Sequence, residues 1–251
     1  MSGNMRPLNR QSAPTPENSN LGERESICHL FMTEHLRMNK SRPKSSGADR
    51  PRAAPRQVRI ISGSWKRTSL PVIDAVGLRP TPDRVRETVF SWLTHLLNDQ
   101  WHTVVCLDLF AGTGALGFEA ASRGALRAVL VEYHSSAAQQ LEAIRLKLAA
   151  HQVSILSGDA LTIAQRLNTT AERFDLIFLD PPYGLGWLPR MLPLCKDLLS
   201  AEGLVYAEAE MALDGVAAPD WMSDWEVMRS GKAGLVFFHL LRCRNSAEIE
   251  A

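Results

Sequence analysis

Asp180-Pro181-Pro182-Tyr183 is the stretch whose residue types and spacing point most directly to chemistry. It follows Phe174-Asp175-Leu176-Ile177-Phe178-Leu179, an apolar run that reads as a buried strand. Two prolines stop that strand, because neither can donate to a sheet ladder and the ring fixes φ. A carboxylate and an aromatic ring are thereby held at the carboxyl end of a strand, where open α/β sheets bind ligands. A planar substrate with an amino group could stack on Tyr183 and donate hydrogen bonds to Asp180 and to the Pro181 carbonyl. The same residues also suit an ordinary strand followed by a proline turn, with Asp180 as a turn residue, so the rest of the chain must decide.

A second constellation lies upstream. Asp108-Leu109-Phe110-Ala111-Gly112-Thr113-Gly114-Ala115-Leu116-Gly117 places a G-x-G-x-x-G after one apolar run and before a helical one, and Glu132 closes the next strand. That satisfies a dinucleotide fingerprint, so a nicotinamide-dependent dehydrogenase is a rival. Charge argues otherwise. A pyrophosphate at this turn would meet Asp108 as well as the favourable helix N-terminus. S-adenosylmethionine has no phosphate, and its ammonium and sulfonium groups both favour a nearby carboxylate. Glu132 suits the ribose hydroxyls under either reading. Gly158-Asp159-Ala160 follows the third core strand, where Asp159 could accept from an adenine amino group or cap a helix. Phe110, Gly112, Gly114, Ala160 and Thr81 join Asp108, Glu132 and Asp159 as the expected cofactor contacts.

A dehydrogenase gives no reason for the motif at Asp180; an amino-group methyltransferase does. The exocyclic amine of a nucleobase is a poor nucleophile, since its lone pair is delocalised into the ring. Hydrogen bonds to Asp180 and the Pro181 carbonyl would aim the amine and favour a more tetrahedral nitrogen, with Tyr183 stacking the base. In-line transfer then mainly requires positioning. Asp180 or bulk water could take the released proton.

The elements that must position these residues read as alternating βα units. Strands are expected at Val104–Leu109, Ala128–Val131, Gln152–Leu156, Phe174–Leu179 and Leu204–Ala209. Helices are expected over 115–122, 135–150, 160–167 and 188–199, with Pro193 distorting or delaying the last. A terminal antiparallel hairpin is expected over 226–229 and 235–242. Such alternation implies a mostly parallel sheet covered on both faces. Upstream, Val58–Ile61 and Leu70–Val72 flank Ser62-Gly63-Ser64-Trp65-Lys66-Arg67 and read as a small hairpin with a basic turn. Thr81 suits an N-cap and Pro82 the first helical position, for a helix running to about Leu97.

At 251 residues, 45% apolar and 22% charged, the chain suits a soluble globular protein with no run long enough for a membrane span. The four scattered cysteines lack C-x-x-C spacing; Cys106 and Cys195 read as small core residues, and a reducing cytoplasm is expected. No metal is expected. Residues 37–67 carry ten Lys/Arg against the single acid Asp49, a charge of +9, which leaves −8 on the remainder. A basic arm on an acidic body suits a polyanionic partner, or is a solubilising tail. The polar, Ser/Pro/Arg-rich residues 1–57 are expected to be a disordered basic extension, with Met38 as a plausible true initiator. The catalytic domain then spans 58–245, as a hairpin and helix over 58–100 and a Rossmann-like core over 101–245, followed by a tail at 246–251. Trp65, Lys66 and Arg67 in the hairpin turn, with Arg79, Arg84 and Arg86 around the start of the first helix, are the candidate RNA contacts. Trp65 could instead cap a hydrophobic cluster, and the arginines could be plain surface charges.

The succession Arg59-Ile60-Ile61-Ser62-Gly63, Leu78-Arg79-Pro80-Thr81, Asp83-Arg84-Val85-Arg86-Glu87-Thr88, the glycine turn and Asp180-Pro181-Pro182-Tyr183 resembles the bacterial RsmD family over residues 58–242. That resemblance implies a class I S-adenosylmethionine-dependent methyltransferase fold, a Rossmann-like seven-stranded sheet ending in an antiparallel strand. It implies transfer of a methyl group to the N2 amine of a guanine in 16S ribosomal RNA, within the assembled or assembling 30S subunit; a monomer is expected. By position it puts Asp180 to Tyr183 at the target base, and Asp108, Gly112, Glu132 and Asp159 around the cofactor. Methylation of an adenine amine, or a non-enzymatic RNA-binding module, are the remaining alternatives. The motif at Asp180 is shared with adenine methyltransferases and does not choose the base.

Overall fold

The structure, a computed structural model, describes residues 57–72, 81–215 and 218–244. The basic extension apart from Gln57, Met38, Arg79 and the tail at 246–251 lie outside the described residues. The described residues open with a hairpin of β1 (Gln57–Arg59) and β2 (Ser69–Pro71), so Gln57, expected in the extension, belongs to the hairpin. Helix α1 (Asp83–Leu96) follows, and then the βα units: β3 (Val105–Asp108), α2 (Ala115–Ser122), β4 (Arg127–Glu132), α3 (Ser135–Lys147), β5 (Val153–Ser157), α4 (Ala160–Asn168), β6 (Phe174–Leu179), α5 (Trp187–Leu198) and β7 (Leu199–Ala209). An antiparallel pair, β8 (Trp225–Ala233) and β9 (Val236–Cys243), closes the sheet.

The large sheet has seven strands in the order β5-β4-β3-β6-β7-β9-β8. The pairs from β5 to β7 are parallel, and β9 joins β7 antiparallel. The central strands read as unbroken apolar runs because helices cover both faces: Cys106, Leu107, Leu176, Ile177 and Phe178 are all fully buried. Strand order reverses between β3 and β6. The crevice beyond the carboxyl ends of those two strands is where this class of sheet binds ligands, and Asp108 and Asp180 lie at those ends.

Helix α1 packs on the sheet through Val85, Val89, Phe90 and Leu93, which recur at helical spacing. Phe90 meets Phe178 of β6 with ring centroids 5.9 Å apart. Burying a side chain of that size is worth roughly 1.5–3 kcal/mol. The contact fixes Thr81, just before α1, near the end of β6. The helix begins at Asp83, with Pro82 at the cap position and no side-chain cap bond. Thr81 is therefore not the N-cap that its sequence context suggests; its hydroxyl is used elsewhere.

The hairpin lies along α2. At one end, Val58 and Val72 cluster with Ala115, the first residue of α2. At the other, the turn reaches the last residue of α2, where Trp65 N–H donates to Ser122 Oγ at 2.9 Å and Ser64 N–H to the Ser122 carbonyl at 2.8 Å. Only glycine fits at Gly63: its φ is +79°, and a Cβ there would stand 1.8 Å from the Ser122 carbonyl oxygen. Glu119, fully buried in α2, accepts from the Ile61 and Ser62 amides and pairs with Arg123.

Two details differ from the sequence reading, and a third decides between two roles that it leaves open. Helix α5 starts at Trp187 and runs unbroken through Pro193, which neither delays nor ends it. Strand β7 starts at Leu199, five residues early, because the chain pairs with Phe174, bulges, and resumes at Leu176. The tryptophan of the hairpin turn, Trp65, packs against the hydrophobic core rather than presenting a free face.

Candidate active site

Asp108 is 1% exposed at the end of β3. The glycine turn folds back over it, and its Oδ2 accepts from Gly117 N–H at 3.0 Å. Its Oδ1 is buried with no hydrogen-bond partner. Burial pushes its carboxyl up to about 7, with the Glu132 charge adding to the rise and the Gly117 and Phe110 amides opposing it. Gly112 and Gly114 both take positive φ in this turn. A Cβ on Gly114 would collide with Phe118 at 2.5 Å, so the turn keeps its shape only with glycine there.

Glu132 ends β4, one strand over. Its Oε2 accepts from Gly112 N–H at 2.8 Å and its Oε1 from His134 N–H at 2.7 Å. The carboxylate is thus braced against the glycine turn, and a carboxylate has lone pairs beyond those bonds. Asp159, after β5, caps α4 by accepting from Thr162 N–H at 2.9 Å, and Ala160 is buried behind it. Phe110 stands edge-on to Trp187, centroids 5.2 Å apart, which ties the glycine turn to the start of α5.

The substrate side is built differently. Thr81 Oγ1 lies 3.0 Å from Asp180 Oδ2 and 2.7 Å from Glu208 Oε1. Expected at the cofactor, Thr81 instead sits between the two carboxylates at the ends of β6 and β7, within reach of both, its single proton serving one at a time. Glu208 is 3% exposed and takes two further hydroxyls, Tyr206 at 2.7 Å and Tyr183 at 3.2 Å. Burial, then the Glu208 charge, holds the Asp180 carboxyl well above the usual carboxylate range, against the Thr81 hydrogen bond that lowers it. Pro181 is buried, while Pro182 and Tyr183 are exposed.

Glu208 is the residue that reading the sequence missed. Its only local signal is Tyr206 and Glu208 two apart, two polar groups on one face of the otherwise apolar stretch Leu204–Ala209.

The proposed RNA contacts separate. Arg84 is exposed in the first turn of α1. Arg86 is fully buried, donating to the Arg59 carbonyl and to Asp83 at 2.8 Å each, so it joins α1 to the hairpin and is not an RNA contact. Lys66 and Arg67 are exposed, but they sit at the far end of α2, about 12 Å of helix from the glycine turn. No metal-binding cluster occurs among the described residues.

S-adenosylmethionine fits this donor set. Asp108 Oδ1 is a buried carboxyl oxygen with no hydrogen-bond partner, and in its ionised form it would hold a cationic group. Glu132 has lone pairs for ribose hydroxyls, and the glycine turn allows close approach.

The profile of the family described as conserved hypothetical protein 95 matches residues 58–242. Ribosomal RNA small subunit methyltransferase D of Escherichia coli K12 is 38% identical over 197 residues, 78% of this chain and 94% of that protein. The protein of the same name from Haemophilus influenzae is 35% identical, covering 73% of this chain and 93% of its own. The chain belongs to the RsmD family. A solved methyltransferase structure from Escherichia coli, 35% identical, superposes with a TM-score of 0.62 over 75% of this chain and 98% of its own. The RsmD chain therefore has the class I S-adenosylmethionine-dependent methyltransferase fold, with the small hairpin at its N-terminal side.

Proposed function

We propose that the protein is an S-adenosylmethionine-dependent methyltransferase that modifies the N2 amine of one guanine in 16S ribosomal RNA. The observation that carries this reading is the meeting of two carboxylate sets at the β3–β6 switch point, one suited to a cationic cofactor and one to an amine. The rRNA substrate follows from the name that the Escherichia coli and Haemophilus relatives share. A dehydrogenase has no use for Asp180 and Glu208.

S-adenosylmethionine supplies an electrophilic methyl group on a sulfonium. Asp108 holds the cationic end of the cofactor, and Glu132 and Asp159 orient its ribose and adenine. Asp180 accepts one amine hydrogen and the Pro181 carbonyl the other, which directs the nitrogen lone pair forward. Tyr183 stacks the base, which must leave its own stack to arrive. The proton lost from nitrogen passes to Asp180, whose raised affinity for protons suits it to receive one.

Arg84 beside the site, Lys66 and Arg67 at the far end of α2, and the basic residues before position 57 are the proposed phosphate contacts. We further place the protein in the cytoplasm as a monomer acting on assembled or assembling small subunits; no helix among the described residues is long and apolar enough to cross a membrane. Mass spectrometric mapping of 16S ribosomal RNA from cells with and without the gene tests the reading. Loss of one N2-methylguanine is expected, and loss of a methyladenine instead would overturn it.

A further inference from the structure

Asp180 and the Pro181 carbonyl account for both hydrogens of an exocyclic amine, and they would serve adenine as well as guanine. What distinguishes the two bases is the atom beside the amine. In guanine, N2 is flanked by N1–H, a donor. In adenine, N6 is flanked by N1, an acceptor. A pocket that places a second fixed acceptor beside Asp180 therefore chooses guanine.

Glu208 is that acceptor. Thr81 Oγ1 links it to Asp180 through contacts of 2.7 and 3.0 Å, so the two carboxylates are neighbours. Its two oxygens are held unequally. Oε1 takes Thr81 and Tyr206, both at 2.7 Å. Oε2 takes the Tyr183 hydroxyl at 3.2 Å, long for an O–H···O bond. Tyr183 is 40% exposed and belongs to the segment that receives the base. We propose that Glu208 Oε2 accepts the N1–H of the target guanine, that the Tyr183 hydroxyl occupies this position until the base arrives, and that Glu208 is what makes the site refuse adenine. This rests on the guanine-N2 reading above.

The electrostatics agree. Asp180 and Glu208 are like charges in a buried setting, which is costly without donors. Guanine brings three N–H groups in a row, N1–H and both N2 hydrogens, to two carboxylates and a carbonyl. Adenine brings two, and sets its N1 lone pair against Glu208. A site built to hydrogen-bond a substrate N–H rejects the analogue lacking it by large factors.

The test uses the full-length protein and small-subunit RNA whose mapped target guanine is replaced by 2-aminopurine, which keeps the amine and lacks N1–H. Single-turnover methyl transfer is measured for wild type and Glu208→Gln on both substrates. Wild type is expected to prefer guanine by about 100-fold or more. In Glu208→Gln that preference should fall to within about tenfold, because the amide can donate to an unprotonated N1 as well as accept. Comparing the ratio between enzymes cancels the loss of O6, which 2-aminopurine also lacks. Wild type that uses 2-aminopurine within a few fold of guanine, or a variant with an unchanged ratio, overturns the proposal. If Glu208→Gln no longer binds cofactor by calorimetry, Glu208→Asp takes its place: its shorter side chain withdraws the acceptor from N1–H, so the preference should fall there too, and an unchanged ratio overturns the proposal equally. Wild type that leaves guanine unmodified and methylates an adenine would show that the base assignment itself had failed.

Discussion

The two halves of the site hold their carboxylates by different means. On the cofactor side, every carboxylate is met by a backbone amide, Gly117 for Asp108, Gly112 and His134 for Glu132, Thr162 for Asp159, with the Thr162 hydroxyl and the His134 ring as added partners. On the substrate side, the partners are hydroxyls: Thr81, Tyr183 and Tyr206 around Asp180 and Glu208. A backbone amide can only donate, and its direction is set by the fold. A hydroxyl rotates, donates or accepts, and can be displaced by a ligand. One half is therefore preformed for a ligand that is always the same molecule. The other can exchange partners as a base enters, reacts and leaves.

The sharpest way to break this contrast is Asp180→Ala. Methyl transfer should fall by about a thousandfold or more, the scale of a lost positioning and proton-accepting group, while calorimetric cofactor affinity stays within a few fold. A variant that still turns over at the wild-type rate would remove the substrate half from the chemistry. Glu132→Ala probes the other half: cofactor binding should weaken by about 1–3 kcal/mol, the cost of leaving buried donors unpaired. Unchanged affinity would count against the ribose assignment.

Asp108 gives a pH dependence with opposite signs for two observables. Its carboxyl sits at about 7 in the fold against an ordinary 3.8. From pH 4 to 7 the folded chain keeps a proton that the unfolded chain has released, so this group's contribution to stability falls as pH rises and then levels off. A cationic cofactor binds the ionised form, so its affinity should rise about tenfold between pH 6 and 8. Asp108→Asn should flatten both curves, in thermal melts and calorimetry respectively. The smallest effect is expected at the hairpin turn. Lys66→Ala with Arg67→Ala should lower the slope of log affinity against log salt by about 1–2, without changing the single-turnover rate at saturating RNA. Deleting residues 1–50 should lower the slope further, and no change would make those charges bystanders.

Much of the cofactor half is legible in the sequence, because it is local. The glycine turn and Asp108 are contiguous, Glu132 closes the next strand, and Asp159 caps the helix that it precedes. The substrate half is only partly legible. Asp180 to Tyr183 announce themselves through two prolines. Thr81 and Glu208 reach Asp180 only because α1 packs on β6 and β7 lies beside it, separations of 99 and 28 residues that no local pattern encodes. Thr81 looked like a helix cap for the same reason: its neighbours Pro82 and Asp83 are cap chemistry, and its partner is distant. The burial of Arg86 has no local signal, because an arginine at a helix start is usually solvated, and here the hairpin closes over it.

Glu119 carries one more consequence. Two hairpin amides end on a fully buried carboxylate of the central fold, so lifting the hairpin away would take two donors from that charge and leave it to Arg123. A two-stranded ribbon is marginal alone, yet this one should not fray independently. In hydrogen exchange, the Ile61 and Ser62 amides should stay protected until the whole fold opens, which makes this small ribbon part of the last cooperative unit to yield.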